Sequence, residues 1–451
     1  MAGGIQSSNL KSNYKEGQKF TGPLIVVTNL FFIWAFVTNL NDILIPYLKR
    51  ACELTDLQSS LVQFAFFFAY FVMSIPSASI IKKVGYKKGI LIGLGCMFLG
   101  ALLFIPAATS RTFPLFLAAL FILASGVTLL QVAANPYVTI LGKPETASAR
   151  LNLTQAFNSL GATIAPLIGG TMILSALSDE KYNVFSAADK LNYLDQQAGK
   201  VVMTYIGLAA VILVIGIIIY FSRLPEVDAE EETVDHSAEK SSIFQHKHLV
   251  LGIAAIFLYV GAEVSIGSFI IRFSGMPNIG GLSPLAGAKF VSYYMLFAMI
   301  GRFAGSYFLS KVSPNKVLGL NSLIAVGLLI TAIVTNGNLA LYSVVLIGLC
   351  NSIMFPTIFT LAIKDLGGYT KKGSSYLVMA IVGGAFIPPL MGYVSGIQGI
   401  QNAFIVPALC YVFISYFGFT GSKVAPKSKH GSAGIKNDIA SATTMANELP
   451  L

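Results

Sequence analysis

The chain has 451 residues, of which 55% are hydrophobic and only 11% charged, with 32 Phe and a formal net charge of +10. At a mean hydropathy of +0.73 this apolar surface exceeds what a water-soluble core can hide, and it comes in runs of about 20 residues, the length that crosses about 30 Å of hydrocarbon. Composition therefore excludes a soluble enzyme and defines an all-α polytopic membrane protein.

In chain order, the apolar runs predict twelve transmembrane helices at 22–47, 59–81, 89–108, 112–139, 151–175, 201–221, 248–271, 287–309, 317–335, 338–363, 374–397 and 402–420. The polar start "MAGGIQSSNLKSNYKEGQKF" leads into a hydrophobic segment longer than a signal-peptide core and without a small-residue cleavage site, so the first span is expected to stay in place. Placing both termini in the cytoplasm puts 21 of the 30 Lys and Arg residues on the inner side, among them those of "KKVGYKK" at 82–88. This is the positive-inside pattern. It accounts for the net charge by topology, and no Arg-rich patch interleaved with aromatics points to a nucleic-acid partner.

The chain also repeats itself. "GATIAPLIG" at 161–169 aligns with "GAFIPPLMG" at 384–392, and "KKVGYKKG" at 82–89 is echoed more weakly by "SKVSPNKV" at 310–317. The economical explanation is two pseudo-symmetric six-helix halves, 22–221 and 248–420, with a cytoplasmic tail at 1–21 and a polar cytoplasmic tail at 421–451. Between them, 222–247 contains the acidic run "EVDAEEETVDHSAEK", too charged to build a core, and reads as a cytoplasmic linker. Two halves around a central cleft suit a carrier that works by alternating access.

The polar residues inside the spans mark the cleft. Of the 20 acidic residues only Asp42 and Glu263 lie well within predicted spans, and none of the four histidines does. A charge at membrane depth costs about 3 kcal/mol or more unless it meets a partner or a polar cavity, so each is a candidate ion-coupling residue. Glu263 has a second reading, a pair with Arg302 or Arg272 that holds helices together. The amides Asn39, Gln63, Gln131, Gln155, Asn158 and Asn351 offer donors and acceptors together, which suits a neutral polyhydroxylated solute. Trp34, the only tryptophan, adds an apolar face on which a sugar ring can stack. The amides also have a plain structural reading as interhelical hydrogen bonds.

Other chemistry is missing from the sequence. There is no phosphate-binding Gly-rich loop ending in Lys-Ser or Lys-Thr, and Cys52, Cys96, Cys350 and Cys410 are isolated, with no metal-binding spacing. No cofactor, structural metal or enzymatic activity is expected.

Six stretches then carry a resemblance: "FFIWAFVTNLNDILIPYLK", "LVQFAFFFAYFVMSIPS", "LQVAANPYVTILG", "ARLNLTQAFNSLGA", "FLYVGAEVSIGSF" and "NSIMFPTIFTLAIKDLG". Together they resemble the fucose permease and glucose/galactose transporter branch of the major facilitator superfamily, from about residue 22 to 420. The resemblance implies a twelve-helix bacterial inner-membrane symporter for hexoses and related sugars. It also implies two acids for coupling and sugar binding in the fucose permeases: the aspartate of the "NLNDILxP" motif, here Asp42, and a glutamate whose position is taken here by Gln131.

An amide cannot titrate. That departure, with the glucose/galactose-like "GAEVSIGSF" around Glu263, leads to an expectation of sodium-coupled uptake of a neutral hexose of the glucose/galactose type. In this reading Na+ is favoured over H+ as coupling cation, with a sodium site near Asp42. The alternative is a proton-coupled symporter of fucose, N-acetylglucosamine, mannose or fructose; a sugar or drug exporter and a carrier-fold sugar sensor stand further off. The expected partners are a small neutral sugar, a monovalent cation and the bilayer, with the monomer as the working unit.

Overall fold

The computed structural model describes residues 21–52, 54, 56–173, 185–225 and 243–424. The start of the chain, most of the acidic linker and the C-terminal tail thus lie outside the described residues.

The described chain is helical throughout. Its helices are α1 (Thr21–Ala51), α2 (Asp56–Ser110), α3 (Phe113–Ile140), α4 (Ala147–Ile173) and α5 (Ala187–Phe221). There follow α6 (Lys247–Ser274), α7 (Pro284–Leu309), α8 (Pro314–Val334), α9 (Gly337–Asn351) and α10 (Met354–Ala362). Last come α11 (Thr370–Met379), α12 (Gly383–Gln398), α13 (Ile400–Ala403) and α14 (Ile405–Tyr416).

Among the described residues nine helical segments are long and apolar enough to cross a membrane. One of them, Phe64–Ser110, runs over 47 residues, enough for two crossings, and consists of two helices joined at a kink. It covers the expected second and third spans, and the basic "KKVGYKK" between them holds the kink at which the two helices join. Gly85, with φ 82° and ψ 173°, is the one residue that leaves helical geometry there, a conformation that glycine adopts without steric cost. Two more helices, α4 and α7, have 27 and 26 residues. Both reach spanning length, but their runs are interrupted by polar residues such as Asn152, Gln155 and Asn158 in α4 and by Arg302 in α7.

Local chemistry sets several ends. α5 begins at Ala187, well before the expected start at 201, because Ser186 Oγ accepts a hydrogen bond from Asp189 N at 3.2 Å and caps a polar first turn. Between α9 and α10 the helix breaks at Ser352–Ile353, inside the expected tenth span.

Packing sorts the faces. The helix α5 turns Met203, Val214, Ile218 and Phe221 outward, an apolar surface that only lipid can cover. Inside, α1 packs on α4, α2 on α3 and α5, and α6 on α9, α10, α12 and α14. The first five helices meet the rest mainly where α4 lies on α7 and α2 on α11. Close glycine contacts occur at the repeated motif and next to it, at Gly161 and at Gly383, the residue just before the second copy. A Cβ added at Gly161 would overlap the carbonyl oxygen of Phe32 in α1, and one at Gly383 would overlap that of Phe257 in α6. In both places the missing side chain lets two backbones touch.

Candidate functional site

The first candidate acid, Asp42, lies on α1, and Gln63 lies on α2; the side chains of both fall outside the described set. Higher on α1, Trp34 is 3% exposed and packs on Phe31, ring centroids 4.1 Å apart. Asn39 donates back to the Ala35 carbonyl at 2.8 Å. Asn158 of α4 donates to the Phe31 carbonyl at 3.0 Å and ties α4 to α1. Gln131 of α3 is buried, with Nε2 donating to the Tyr70 hydroxyl of α2 at 2.8 Å. Tyr70 was not anticipated as a site residue; inside an apolar run a tyrosine looks like bulk until its hydroxyl is seen to have a partner.

The second acid has a fuller environment. Glu263 sits on α6 one helical turn after Tyr259, and its Oε1 is 4.0 Å from Arg302 Nη2 on α7. Tyr259 lies beside the same carboxylate. The Glu263 side chain is 27% exposed and that of Arg302 12%. The neighbours of Glu263 are thus a largely buried arginine and a fully buried tyrosine, polar partners of the kind a charge at membrane depth requires.

Arg302 links four elements. Its Nε donates to the Ser352 carbonyl at the α9–α10 break, 3.3 Å away, and its Nη1 to the Gln155 carbonyl of α4 at 3.2 Å. Nη1 also donates to Ser159 Oγ. The Arg302 carbonyl in turn accepts from Asn152 Nδ2 of α4 at 2.5 Å. The structure thus brings Glu263 and Gln155, distant in sequence, to one guanidinium. Arg302 lies well inside the expected span 287–309, but its acceptors on α4 are about 150 residues away in sequence and no local pattern marks them.

Beside this group, Asn351 closes α9 in a cluster of tyrosines. Its Nδ2 donates to the Tyr294 hydroxyl at 2.7 Å, its Oδ1 accepts from the Tyr411 hydroxyl at 2.7 Å, and its carbonyl accepts from the Tyr259 hydroxyl at 3.1 Å. The residue is 1% exposed.

Near the sequence-adjacent loops at one end of the bundle, the two parts of the chain are joined. Ser148 Oγ and Thr360 Oγ1 are 2.6 Å apart, and Ser306 Oγ donates to the Ala149 carbonyl at 3.0 Å. On the other side of that seam Ser374 Oγ donates to the Val132 carbonyl at 3.4 Å. All four cysteines are free thiols.

A bundle of membrane-length helices with an acid, a base and buried amides meeting across two sets of helices is the architecture of a solute carrier. The sequence profile of the Major Facilitator Superfamily matches residues 27–379. The chain belongs to that superfamily and, within it, to the family of fucose permeases and glucose/galactose transporters, which are carriers and not enzymes. It is 47% identical over 424 residues to the glucose/galactose transporter of Brucella abortus biovar 1 (strain 9-941), covering 94% of this chain and 100% of that one. To the L-fucose-proton symporter of Escherichia coli (strain K12) it is 37% identical over 421 residues, covering 91% of this chain and 95% of the relative. The crystal structure of the transporter FucP in the outward conformation matches with a TM-score of 0.83 and 36% identity, over 90% of this chain and 100% of that one.

These relatives correct one expectation. Sodium was favoured over protons as coupling cation, with a site near Asp42; the relatives whose names state an ion, the L-fucose-proton symporters of Escherichia coli and Haemophilus influenzae, state the proton. The physical reason is visible at Glu263. The sodium expectation rested on the absence of an acid at position 131 and gave the pairing of Glu263 with Arg302 only as a second reading. In the fold its charge is balanced by the fixed cation of Arg302. That pairing gives the carboxylate a fixed counter-ion, so its charge is balanced without a bound metal cation.

Proposed function

We propose that this protein is a proton-coupled symporter of a neutral hexose-type sugar, working by alternating access in a bacterial inner membrane. Twelve spans form two six-helix halves, 22–221 and 248–420. This count takes α2 as two spans parted at Gly85, joins α9 to α10, α11 to α12 and α13 to α14, and includes α4 and α7. The linker 222–247 and the tails 1–21 and 421–451 lie in the cytoplasm, and the monomer is the working unit. The joined end of the bundle, at Ser148, Thr360 and Ser374, neighbours the basic segments 82–88, 141–150 and 364–372, so it is the cytoplasmic end, closed in this conformation. The cleft then faces outward, in keeping with the likeness to FucP in the outward conformation.

The observation that carries the reading is the meeting of Glu263 and Arg302 with α4, on a fold shared with sugar carriers of which two are named proton symporters. Asp42 and Glu263 take up the proton, one in the first span of each half. The sugar is held by the amides of Gln63, Gln131, Gln155 and Asn158 with Asn39 and Trp34. Asn351, whose amide is engaged by Tyr294 and Tyr411, shapes the opposite wall through those rings.

The test is uptake of labelled D-glucose, D-galactose and L-fucose into proteoliposomes under imposed gradients. A pH gradient, acidic outside, should drive accumulation of at least one of them above equilibration, and replacing sodium with potassium at fixed pH should leave that accumulation in place. Accumulation driven by sodium alone, or competition by sugar acids but by no neutral hexose, would overturn the reading.

A further inference from the structure

We infer that Arg302 is a latch shared between the coupling acid and the inner gate, so that proton uptake by Glu263 releases α7 from α4 and lets the cytoplasmic end open. The inference rests on the proton-coupled reading and adds to it the residue that turns protonation into movement.

Arg302 has two kinds of partner. Its hydrogen bonds go to the Ser352 and Gln155 carbonyls and to Ser159 Oγ, all neutral acceptors. Its charge is balanced by Glu263, whose Oε1 at 4.0 Å is near enough for strong attraction but beyond hydrogen-bond length. The bonds to α4 therefore hold a guanidinium whose stability at membrane depth depends on an anion held by a different helix. A protonated Glu263 leaves that guanidinium unbalanced and buried, a state that costs several kcal/mol in protein interiors. The cheapest relief is for Arg302 to leave the α4 carbonyl for water.

The position of the latch makes this consequential. Asn152, whose amide holds the Arg302 carbonyl, is one turn from Ala149 and Ser148, the residues that meet Ser306 and Thr360 at the closed end. When the Arg302 bonds to Gln155 and Ser159 go, the α4–α7 contact loses its deepest polar tie. The proton balance is simple: Glu263 accepts a proton from the outer cleft while the carrier faces out. It loses that proton to the cytoplasm once the cleft faces in, and the restored carboxylate draws Arg302 back to close the inner end. An empty, unprotonated carrier thus returns to the outward-facing form.

The groups that act on Glu263 electrostatically are Tyr259 on its own helix, Arg302 and Tyr294 on α7, and Tyr411 on α14. Cys350 of α9 acts in turn on Tyr294. Arg302 is the only cation among them and the only one that also binds α4.

The experiment reads the closed end directly. In a background with the four native cysteines replaced, Thr360→Cys is labelled by a maleimide applied from the cytoplasmic side of inverted vesicles, between neutral and mildly acidic pH. Labelling of the otherwise native carrier should rise as pH falls. Glu263→Gln should make labelling high and independent of pH, and Arg302→Gln should do the same. Arg302→Lys keeps the charge, so its labelling should still vary with pH. Elution as a single species and a helical circular dichroism spectrum establish that each variant is folded. Glu263→Gln with the pH dependence of the parent, or Arg302→Gln labelled as slowly as the parent at neutral pH, would overturn the latch. A parent carrier that accumulates no sugar under a pH gradient would instead overturn proton symport itself.

Discussion

Gln131 Nε2 donates a hydrogen bond to the Tyr70 hydroxyl at 2.8 Å, within a contact between α3 and α2 that is buried. The pair stands where the fucose permeases are expected to have an acid. Replacing Gln131 with Glu removes the donor and buries a second carboxylate against a hydroxyl. The expected result is a rise in the half-saturation concentration for sugar, steepest at high pH, where the new acid is charged. Tyr70→Phe should give a smaller rise, worth about 1 kcal/mol for one lost hydrogen bond. Initial uptake rates in proteoliposomes across pH check both, and an unchanged half-saturation in Gln131→Glu would remove Gln131 from the binding site.

In the proposed mechanism Asp42 is the acid of the first half. Asp42→Asn should abolish accumulation under a pH gradient, since no group of α1 could then change charge in the cycle. The measurement is the steady-state ratio of internal to external labelled sugar. A ratio equal to that of the native carrier would show that coupling does not pass through α1.

The tyrosine cluster at the α9–α10 break makes a stability prediction. Tyr411→Phe takes away the donor to Asn351 Oδ1 and leaves a buried acceptor unsatisfied. A loss of about 1–3 kcal/mol follows, seen as a lower unfolding midpoint in detergent. Asn351→Ala should cost more, because Tyr294 and Tyr411 both lose their side-chain partner.

Close backbone contact predicts a third class of effect. Gly161→Ala and Gly383→Ala would each drive a methyl group into a carbonyl oxygen of the neighbouring helix. Overpacking of this kind costs about 1–3 kcal/mol. Gly95→Ala, which meets nothing within 4 Å, is the control and should leave the unfolding midpoint unchanged.

An all-α membrane protein with long apolar helices was legible in the sequence because hydrocarbon penalises polarity residue by residue, and runs such as 112–139 announce themselves. The acids then stand out by contrast. What sequence could not supply was pairing. Arg302 finds Gln155 and Ser159 across more than 140 residues, and the hydroxyls of Tyr70, Tyr294 and Tyr411 sit in apolar helices where a ring alone would explain them. The ion was misread for the same reason. Gln131 was weighed as a lost acid, while the pair of Glu263 with Arg302, one of two partners the sequence offered, could be fixed only by the fold. The extra helix before residue 201 was missed because "DKLNYLDQQAGK" is too polar for a span, though capped and amphipathic enough to continue one.

The glycine contacts of Gly161 with Phe32 and of Gly383 with Phe257 have a mechanical meaning. Where main chain rests on main chain, no side-chain rotamers are available to absorb sliding, so α1 with α4 and α6 with α12 each travel as one stiff plate. Shape change must then gather along the line where α4 meets α7 and α2 meets α11. Along that line the ties of Ser148, Thr360, Asn152 and Arg302 are side-chain hydrogen bonds, whose groups can take water as partner once the seam parts. The carrier is hard in its two leaves and wettable at its spine.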